Sequence, residues 1–175
     1  MRRLLRRVGG LLLLAGLLLL LAWLRTEPEQ LIDAGGARVH VMDGDSLRIG
    51  ERVVRIEGID AVELRQLCAD GDGGEWSCGL EARSALEAMV AKGGLVCASS
   101  EQDRYRRAVA RCRTMAVRDI GSALVAQGWA VSGDGRGDGR YLVQQVAAQA
   151  GARGIWRGTF QRRADWRAGH ARQGD

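Results

Sequence analysis

The amino-terminal part of the chain is an unbroken hydrophobic segment behind a basic cluster. Four arginines lie within the first seven residues, and the 17 residues at positions 8–24 are rich in leucine and carry no charge. As a helix they would span about 25 Å at roughly 1.5 Å per residue, against a hydrocarbon core of about 30 Å. This layout is typical of a signal peptide or a signal anchor over residues 1–25, and it predicts membrane contact through residues 8–24.

Two features of this segment bear on its fate and orientation. Trp23 and Leu24 are bulky where a signal peptidase needs small residues, so we favour an uncleaved anchor. The arginine end is expected to stay in the cytoplasm, which sends residues 26–175 across the membrane. The expected location is the bacterial inner membrane with a periplasmic domain, or secretion if the leader is cleaved.

The next pattern is an alternation of apolar and polar positions. A linker that contains the single proline of the chain covers residues 26–36. Beyond it, apolar residues recur at every second position near 39–41 and 47–49, and a further apolar run covers 53–56. Gly44 and Gly50 separate these runs. The pattern therefore predicts three short β-strands joined by tight turns.

A helical spacing of apolar residues follows. After Ser77, apolar residues recur at i, i+3 and i+4 as far as Gly93, which predicts one helix. Two further strands and then two further helices are predicted, the strands near 95–97 and 108–110 and the helices near 119–128 and 141–150. Five strands with a helix between the third and the fourth have the element order of an OB-fold.

The predicted architecture is therefore an α+β domain over residues 37–168. It consists of a five-stranded OB-fold β-barrel with three α-helices. The amino-terminal hydrophobic helix precedes it, and a polar tail at 169–175 follows.

The charges are divided unevenly along the chain. The isoelectric point is about 9.6, and the formal net charge is +5. Five basic residues lie in the first 25 positions and all 21 acidic residues lie beyond them, which leaves residues 26–175 with no net charge. The basic character is thus mainly a topology signal, and it gives little support to bulk electrostatic binding of polyanions.

Four cysteines lie in the segment that is predicted to be exported, where disulfides persist. Their spacing matches no zinc motif. Three pairings are possible, and a set of free buried thiols is the remaining alternative. We favour the pairings of sequence neighbours, because each closes one loop or hairpin: Cys68 with Cys78 and Cys97 with Cys112.

Three carboxylates and two arginines form the strongest candidate for chemistry. Asp45 opens the second predicted strand and Asp60 follows the third, so antiparallel pairing would bring both to one rim. Aspartates are good ligands for Ca²⁺ or Mg²⁺. Glu63 is close enough to Asp60 to hold a water, and Arg55 and Arg107 offer planar, bidentate donors to phosphate. These groups are those that a metal-assisted phosphodiesterase needs.

The motifs that contain these residues resemble a known family. They are Asp43-Gly44-Asp45, residues 55–63, residues 103–107 and Gly128-Trp129-Ala130. In this order and spacing they resemble the staphylococcal (micrococcal) nuclease, or thermonuclease, family from about residue 39 to residue 166. The resemblance implies Ca²⁺-dependent cleavage of DNA and RNA at the 5′ oxygen, leaving 3′-phosphates.

The resemblance also implies a metal site and a water-activating group. Asp45 and Asp60 would bind Ca²⁺, with the backbone carbonyl of Ala61 as a further ligand. Glu63 would act as a general base or hold the attacking water.

Phosphate contacts are implied in the same way. Arg55 and Arg107 would hold the scissile phosphate and stabilise the transition state, and Tyr105 would help to bind it. Nucleic acid is therefore the expected partner, and we expect a monomer.

The chain departs from the family pattern at two positions. Val62 stands where the family has proline, and Arg106 stands where it has glycine. If the latter position needs a positive φ, its turn carries strain. The alternative function is therefore an OB-fold module that binds nucleic acid, or an envelope partner, with little or no turnover. A separate alternative for two of the site residues is that Arg55 and Glu63 form a structural ion pair.

Overall fold

The computed structural model describes residues 12–20, 29–133 and 139–170. Residues 12–20 form helix α1, whose side chains are exposed. Within the described ranges, no helix is both long enough and apolar enough to cross a membrane. The predicted anchor extends on both sides of α1 into residues outside the described ranges, as do the first part of the predicted linker and residues 171–175 of the predicted tail. The anchor therefore stays a prediction.

The remaining elements are short strands followed or interrupted by helices. The strands are β1 Gln30–Asp33, β2 Val39–Val41, β3 Ser46–Ile49, β4 Arg52–Ile56, β5 Ile59–Ala61, β6 Cys68–Asp70, β7 Glu75–Trp76, β8 Val96–Gln102, β9 Ala108–Arg113, β10 Ala130–Ser132 and β11 Gly158–Thr159. The helices are α2 Cys78–Val90, α3 Ile120–Ala126, α4 Leu142–Ala150, a 3₁₀ helix at Gly154–Arg157 and α5 Arg163–His170.

The largest sheet has six strands in the order β1-β8-β9-β4-β3-β2. All neighbours in it are antiparallel except β4 and β9, which are parallel. Ser46 on β3 pairs with Arg55 on β4, and Arg55 pairs with Val109 on β9. This register aligns the start of β3, the middle of β4 and the start of β9, and it brings the candidate residues on those strands together.

The sheet is not a closed five-stranded barrel, so that part of the predicted fold is wrong. Its outer strands, β1 and β2, do not pair with each other in the described part of the chain. β1 lies in the stretch for which the sequence predicts a linker, and it covers the free edge of β8 because Ile32 is buried in the core. β10 pairs with β5, and β11, β6 and β7 form a third small sheet. The predicted mixture of strands and helices is confirmed.

Two apolar clusters hold these layers together. The larger cluster lies between the six-stranded sheet and helices α2 and α3, and its fully buried members include Leu47, Ile56, Leu86 and Leu124. The smaller one surrounds Val62, Val131 and Ile155, with tryptophans at its border. Both clusters lie next to the loop that follows β5, so they fix its position.

Both predicted disulfides are present. Cys68 is bonded to Cys78, and Cys97 is bonded to Cys112. Cys97 and Cys112 face each other across β8 and β9, whereas the first pair ties β6 to the start of α2. In the chain-entropy model, loops of this length stabilise a fold by about 3 kcal/mol each.

Candidate active site

Asp45 is the buried centre of the site. It immediately precedes β3, and its side chain has no exposed surface. Asp45 Oδ1 accepts hydrogen bonds from Ser46 Oγ at 2.8 Å and Arg55 Nη1 at 3.0 Å, and Oδ2 accepts one from the Ala61 N–H at 3.1 Å. Burial opposes ionisation of this carboxyl, but the Arg55 and Arg163 guanidinium groups outweigh burial and lower its pKa to about 2. Asp45 is therefore a buried anion surrounded by donors.

Arg55 joins the two aspartates that the sequence predicts as metal ligands. Its Nη1 lies 2.9 Å from Asp45 Oδ2, and its Nη2 lies 3.0 Å from Asp60 Oδ1. Nη2 also donates to the Ile59 carbonyl at 3.2 Å. The β3 and β4 register makes this possible, because it places Arg55 opposite Ser46. The predicted convergence of Asp45, Arg55 and Asp60 is therefore seen in the structure.

A close backbone approach explains the glycine between the two aspartates of the Asp43-Gly44-Asp45 motif. A Cβ at Gly44 would lie 2.8 Å from the Ala61 Cβ and 2.9 Å from the Ala82 Cβ, closer than side-chain carbons pack. Asp43 Oδ1 accepts a hydrogen bond from the Asp45 N–H at 3.0 Å. The turn thus carries Asp45 inward against β5 and α2 and adds Asp43 to the same group of carboxylates.

Glu63 is held by the loop after β5. Its N–H donates to Gln66 Oε1 at 3.1 Å, and the buried Gln66 amide donates to the Gln161 carbonyl at 2.8 Å. Val62, which replaces the family's proline, is buried in the smaller apolar cluster and anchors this loop by its side chain. Gly79 at the start of α2 packs directly on the Glu63 carbonyl, where a Cβ would clash.

Arg163 on α5 enters the middle of this group, and sequence reasoning missed it. Its Nη1 lies 2.5 Å from Asp45 Oδ2 and 3.7 Å from Asp60 Oδ1, and its Nε lies 2.5 Å from Glu63 Oε1. Its Nη2 is 3.5 Å from Asp43 Oδ2. The side chain is only 7% exposed. Burial disfavours its charge, but these carboxylates outweigh burial and raise the pKa of Arg163.

Arg167, one turn further along α5, also contacts Glu63. No local signal in the sequence marks either arginine, since Arg163 is 118 positions from Asp45 and lies in a polar stretch. The burial of Arg163 depends on the folded structure, so the sequence alone does not predict it.

Arg107 lies at the border of the cluster, one hydroxyl away from Asp45. Its Nη1 is 3.5 Å from Ser46 Oγ, which donates to Asp45. Asp103 fixes its orientation, because Asp103 Oδ2 lies 2.7 Å from both Nε and Nη2 of Arg107. Tyr105 on the same turn is exposed, and the guanidinium of Arg107 lies 5.5 Å from the centre of its ring. A phosphate at this border would meet both side chains.

Arg106 stands where the family pattern has glycine, and its backbone adopts the left-handed conformation that glycine favours, with φ of 63°. Such a conformation costs a non-glycine residue roughly 1–2 kcal/mol. The strain lies in the turn that carries Tyr105 and Arg107.

Substitution of Arg106 by glycine is therefore expected to stabilise the protein by up to about 1 kcal/mol, since glycine also loses more backbone entropy on folding. Urea unfolding with the disulfides intact measures this difference, and Arg104→Gly in the same turn is the matched control. If Arg106→Gly lowered the free energy of unfolding as much as Arg104→Gly does, Arg106 would not be strained.

Four carboxylates meet in this group, and their burial, together with their mutual repulsion, opposes the ionisation of two of them. Burial, and then the neighbouring charge of Asp45, raise the pKa of Asp43 to about 6. The same two causes raise the pKa of Asp60. Excess negative charge in a buried cluster is the electrostatic condition under which proteins take up a divalent cation.

The donor set fits a hard cation, but the space among the carboxylates is taken by guanidinium groups. Carboxylate oxygens are the ligands that Ca²⁺ and Mg²⁺ prefer. Within the parts of the chain that the structure describes, no three acidic, histidine or cysteine side chains are arranged to hold a metal ion by themselves. Asp45 and Asp60 are instead bridged by Arg55 and Arg163.

Comparison with known proteins identifies the family of the chain. The family model described as "Staphylococcal nuclease homologue" matches residues 53–158. The chain belongs to this family. The match begins within β4 and covers Arg55, Asp60, Glu63, Tyr105 and Arg107, so the predicted resemblance is confirmed.

A curated relative is similar over most of its length. The succinoglycan biosynthesis protein ExoI of Rhizobium meliloti (strain 1021) is 35% identical over 131 residues, which cover 71% of this chain and 69% of the relative. Members of the staphylococcal nuclease family are generally nuclease hydrolases, so the family supports a nuclease-like or nucleic-acid-binding function.

Proposed function

We propose that this protein hydrolyses phosphodiester bonds of DNA or RNA with the help of Ca²⁺, cleaving at the 5′ oxygen to leave 3′-phosphates. One observation carries the proposal: Arg55 contacts both Asp45 and Asp60, and Arg107 reaches Asp45 through the hydroxyl of Ser46. Two arginines and a set of carboxylates at one end of a sheet can serve a cation and a phosphate together.

Each residue has a role in this proposal. Asp45 and Asp60, with the carbonyl of Ala61, would hold the cation, which when bound supplies charge neutralisation for the phosphate oxygens. Arg55 and Arg107 donate to the phosphate and stabilise the charge that develops on it. Glu63, held by Gln66, orients or deprotonates water.

The surface next to Arg107 suits a nucleic-acid strand. A groove of about 340 Å³ is lined by Tyr105 and by the three arginines Arg52, Arg106 and Arg107. Guanidinium groups bind phosphates, and an exposed tyrosine ring can stack on a base. The groove therefore extends the proposed site by a short length of backbone.

We further propose that the domain acts on the outer side of a bacterial inner membrane, as a monomer tethered through residues 8–24 or secreted if the leader is removed. The two disulfides support an oxidising compartment.

A binding module without turnover is the second candidate, and one observation favours it. Arg163 already neutralises Asp45 and contacts Glu63, so both groups are engaged without metal or substrate. A protein of this kind would bind nucleic acid through the groove beside Tyr105 and would not cleave it.

Incubation of the full-length protein, in mild detergent, with single-stranded DNA tests the proposal. Cleavage is expected in millimolar CaCl₂ and should be lost in chelator and in Glu63→Gln, while Glu101→Gln, at an exposed position of β8, should retain it. The products should carry 3′-phosphates, which a 3′-phosphatase makes extendable by a polymerase. Retention of DNA without cleavage under every condition would favour the binding module.

A further inference from the structure

The position of Arg163 raises a question that the proposed nuclease chemistry does not answer. The three groups that nuclease chemistry assigns to a cation and a water are Asp45, Asp60 and Glu63, and Arg163 lies within 3.7 Å of all three. A guanidinium and a divalent cation bind the same carboxylate oxygens. They cannot occupy the space between those oxygens together.

The attachment of α5 rests on this one side chain. Arg163 is the helix's only buried residue. Trp166 stacks on His170 of the same helix, with ring centres 4.0 Å apart, and does not enter the core. Trp166 also lines a surface groove together with Leu67 and Phe160. Further contacts are the ion pair between Arg167 and Glu63 and, just before the helix, the hydrogen bond from Gln66 to the Gln161 carbonyl.

A segment held in this way can leave while exposing little apolar surface, chiefly that of the half-buried Trp166. Most of what α5 loses on release is charge pairing with carboxylates, and a cation can replace that pairing. Segments with few buried apolar contacts open at low free energy. The exchange also favours the cation electrostatically, since one divalent ion supplies two positive charges where Arg163 supplies one.

We propose that α5 is an intramolecular plug, in which Arg163 occupies the cation site of the free protein and must withdraw before a divalent cation binds. This rests on the proposed function only in taking the same carboxylates as the cation site. The plug lowers the apparent affinity for Ca²⁺ in proportion to the fraction of molecules in which α5 is released. It thereby makes the protein inactive until Ca²⁺ is abundant.

Calorimetric titration of the full-length protein in mild detergent with CaCl₂ tests the plug. Arg163→Met removes the charge and keeps the length of the side chain, and it is expected to bind Ca²⁺ at least about tenfold more tightly than the natural protein. Arg162→Met is the matched control, because Arg162 is the adjacent residue and is exposed; its affinity should be unchanged. Equal or weaker binding by Arg163→Met, with an unchanged circular dichroism spectrum, overturns the proposal.

The possibility that Arg163→Met does not fold without metal is covered by the same titration. Four carboxylates would then lack their central partner, so added CaCl₂ should restore the spectrum by binding among them. Failure of CaCl₂ to restore it would count against the plug.

Hydrogen exchange of the natural protein gives a readout that needs no variant. Saturating CaCl₂ should speed exchange over residues 163–170 and leave α2 and α3 unchanged, whereas slowed or unchanged exchange of α5 in a protein that binds Ca²⁺ would overturn the proposal. Neither measurement depends on cleavage. Tighter Ca²⁺ binding by an Arg163→Met protein that cuts no DNA would uphold the plug and refute the nuclease.

Discussion

Substitution of Arg55 by alanine is expected to lower the rate of DNA cleavage by about 10³-fold or more. The reason is that Arg55 lies between two carboxylates. Its Nη1 is within hydrogen-bonding distance of Asp45, and its Nη2 is within hydrogen-bonding distance of Asp60. From this position it is the donor best placed to meet a phosphate that those carboxylates share with a cation. Under the proposed function, its removal would take away transition-state stabilisation and would also leave two neighbouring carboxylates without their common partner.

Two further variants separate these effects. Arg55→Lys keeps the positive charge but cannot donate to two acceptors in one plane, so we expect a large loss of kcat with a small change in stability. Arg48→Ala, an exposed arginine on the adjacent β3, should cleave at the natural rate. Single-turnover cleavage together with urea unfolding measures both quantities. If Arg55→Lys cleaved as fast as the natural protein, Arg55 would have only a structural role.

The part of the site that could be predicted from the sequence is the part built by neighbouring strands. Asp45 and Arg55 lie ten positions apart at a hairpin, and the pairing of its two strands, which sets Arg55 opposite Ser46, brings them together. The pairing of Cys97 with Cys112 follows from the same kind of local geometry. Contacts of this kind depend on a few residues that are close in sequence, so the sequence is enough to predict them.

The parts that were missed depend on contacts between distant segments. Whether a sheet closes is decided by which strand covers its edge. β1 covers β8 because Ile32 and the adjoining Ala34 are buried, in a stretch that otherwise has the composition of a linker. Arg163 lies 100 positions from Glu63. Arg163 can be buried because four carboxylates surround it, and these come together only when the chain folds. The pattern of apolar and polar residues along α5 therefore does not predict its burial.

Asp45 is the fully buried carboxylate of this cluster, so we expect stability to depend strongly on it. Both of its oxygens act only as acceptors: Oδ1 faces Ser46 Oγ and Arg55, and Oδ2 faces the Ala61 N–H and Arg163. Asparagine has the same shape but one oxygen, so either orientation of its amide directs an NH₂ group at a guanidinium. Rotation of the Ser46 hydroxyl relieves one of these conflicts and leaves the one with Arg55.

Asp45→Asn is therefore expected to destabilise the protein by about 3–5 kcal/mol, the usual effect of removing one partner of a buried ion pair. Urea unfolding in chelator, with the disulfides intact, measures this change without any contribution from bound cation. Asp72→Asn, which removes the same charge at an exposed turn, should stay within about 0.5 kcal/mol of the natural protein. Solvent-exposed ion pairs contribute less than about 1 kcal/mol. A loss of that size in Asp45→Asn would mean that water reaches Asp45 and that Arg55 and Arg163 stay in place without its charge. The same carboxylate would then be open to a cation without any movement of α5, so this measurement also bears on whether Arg163 closes the site.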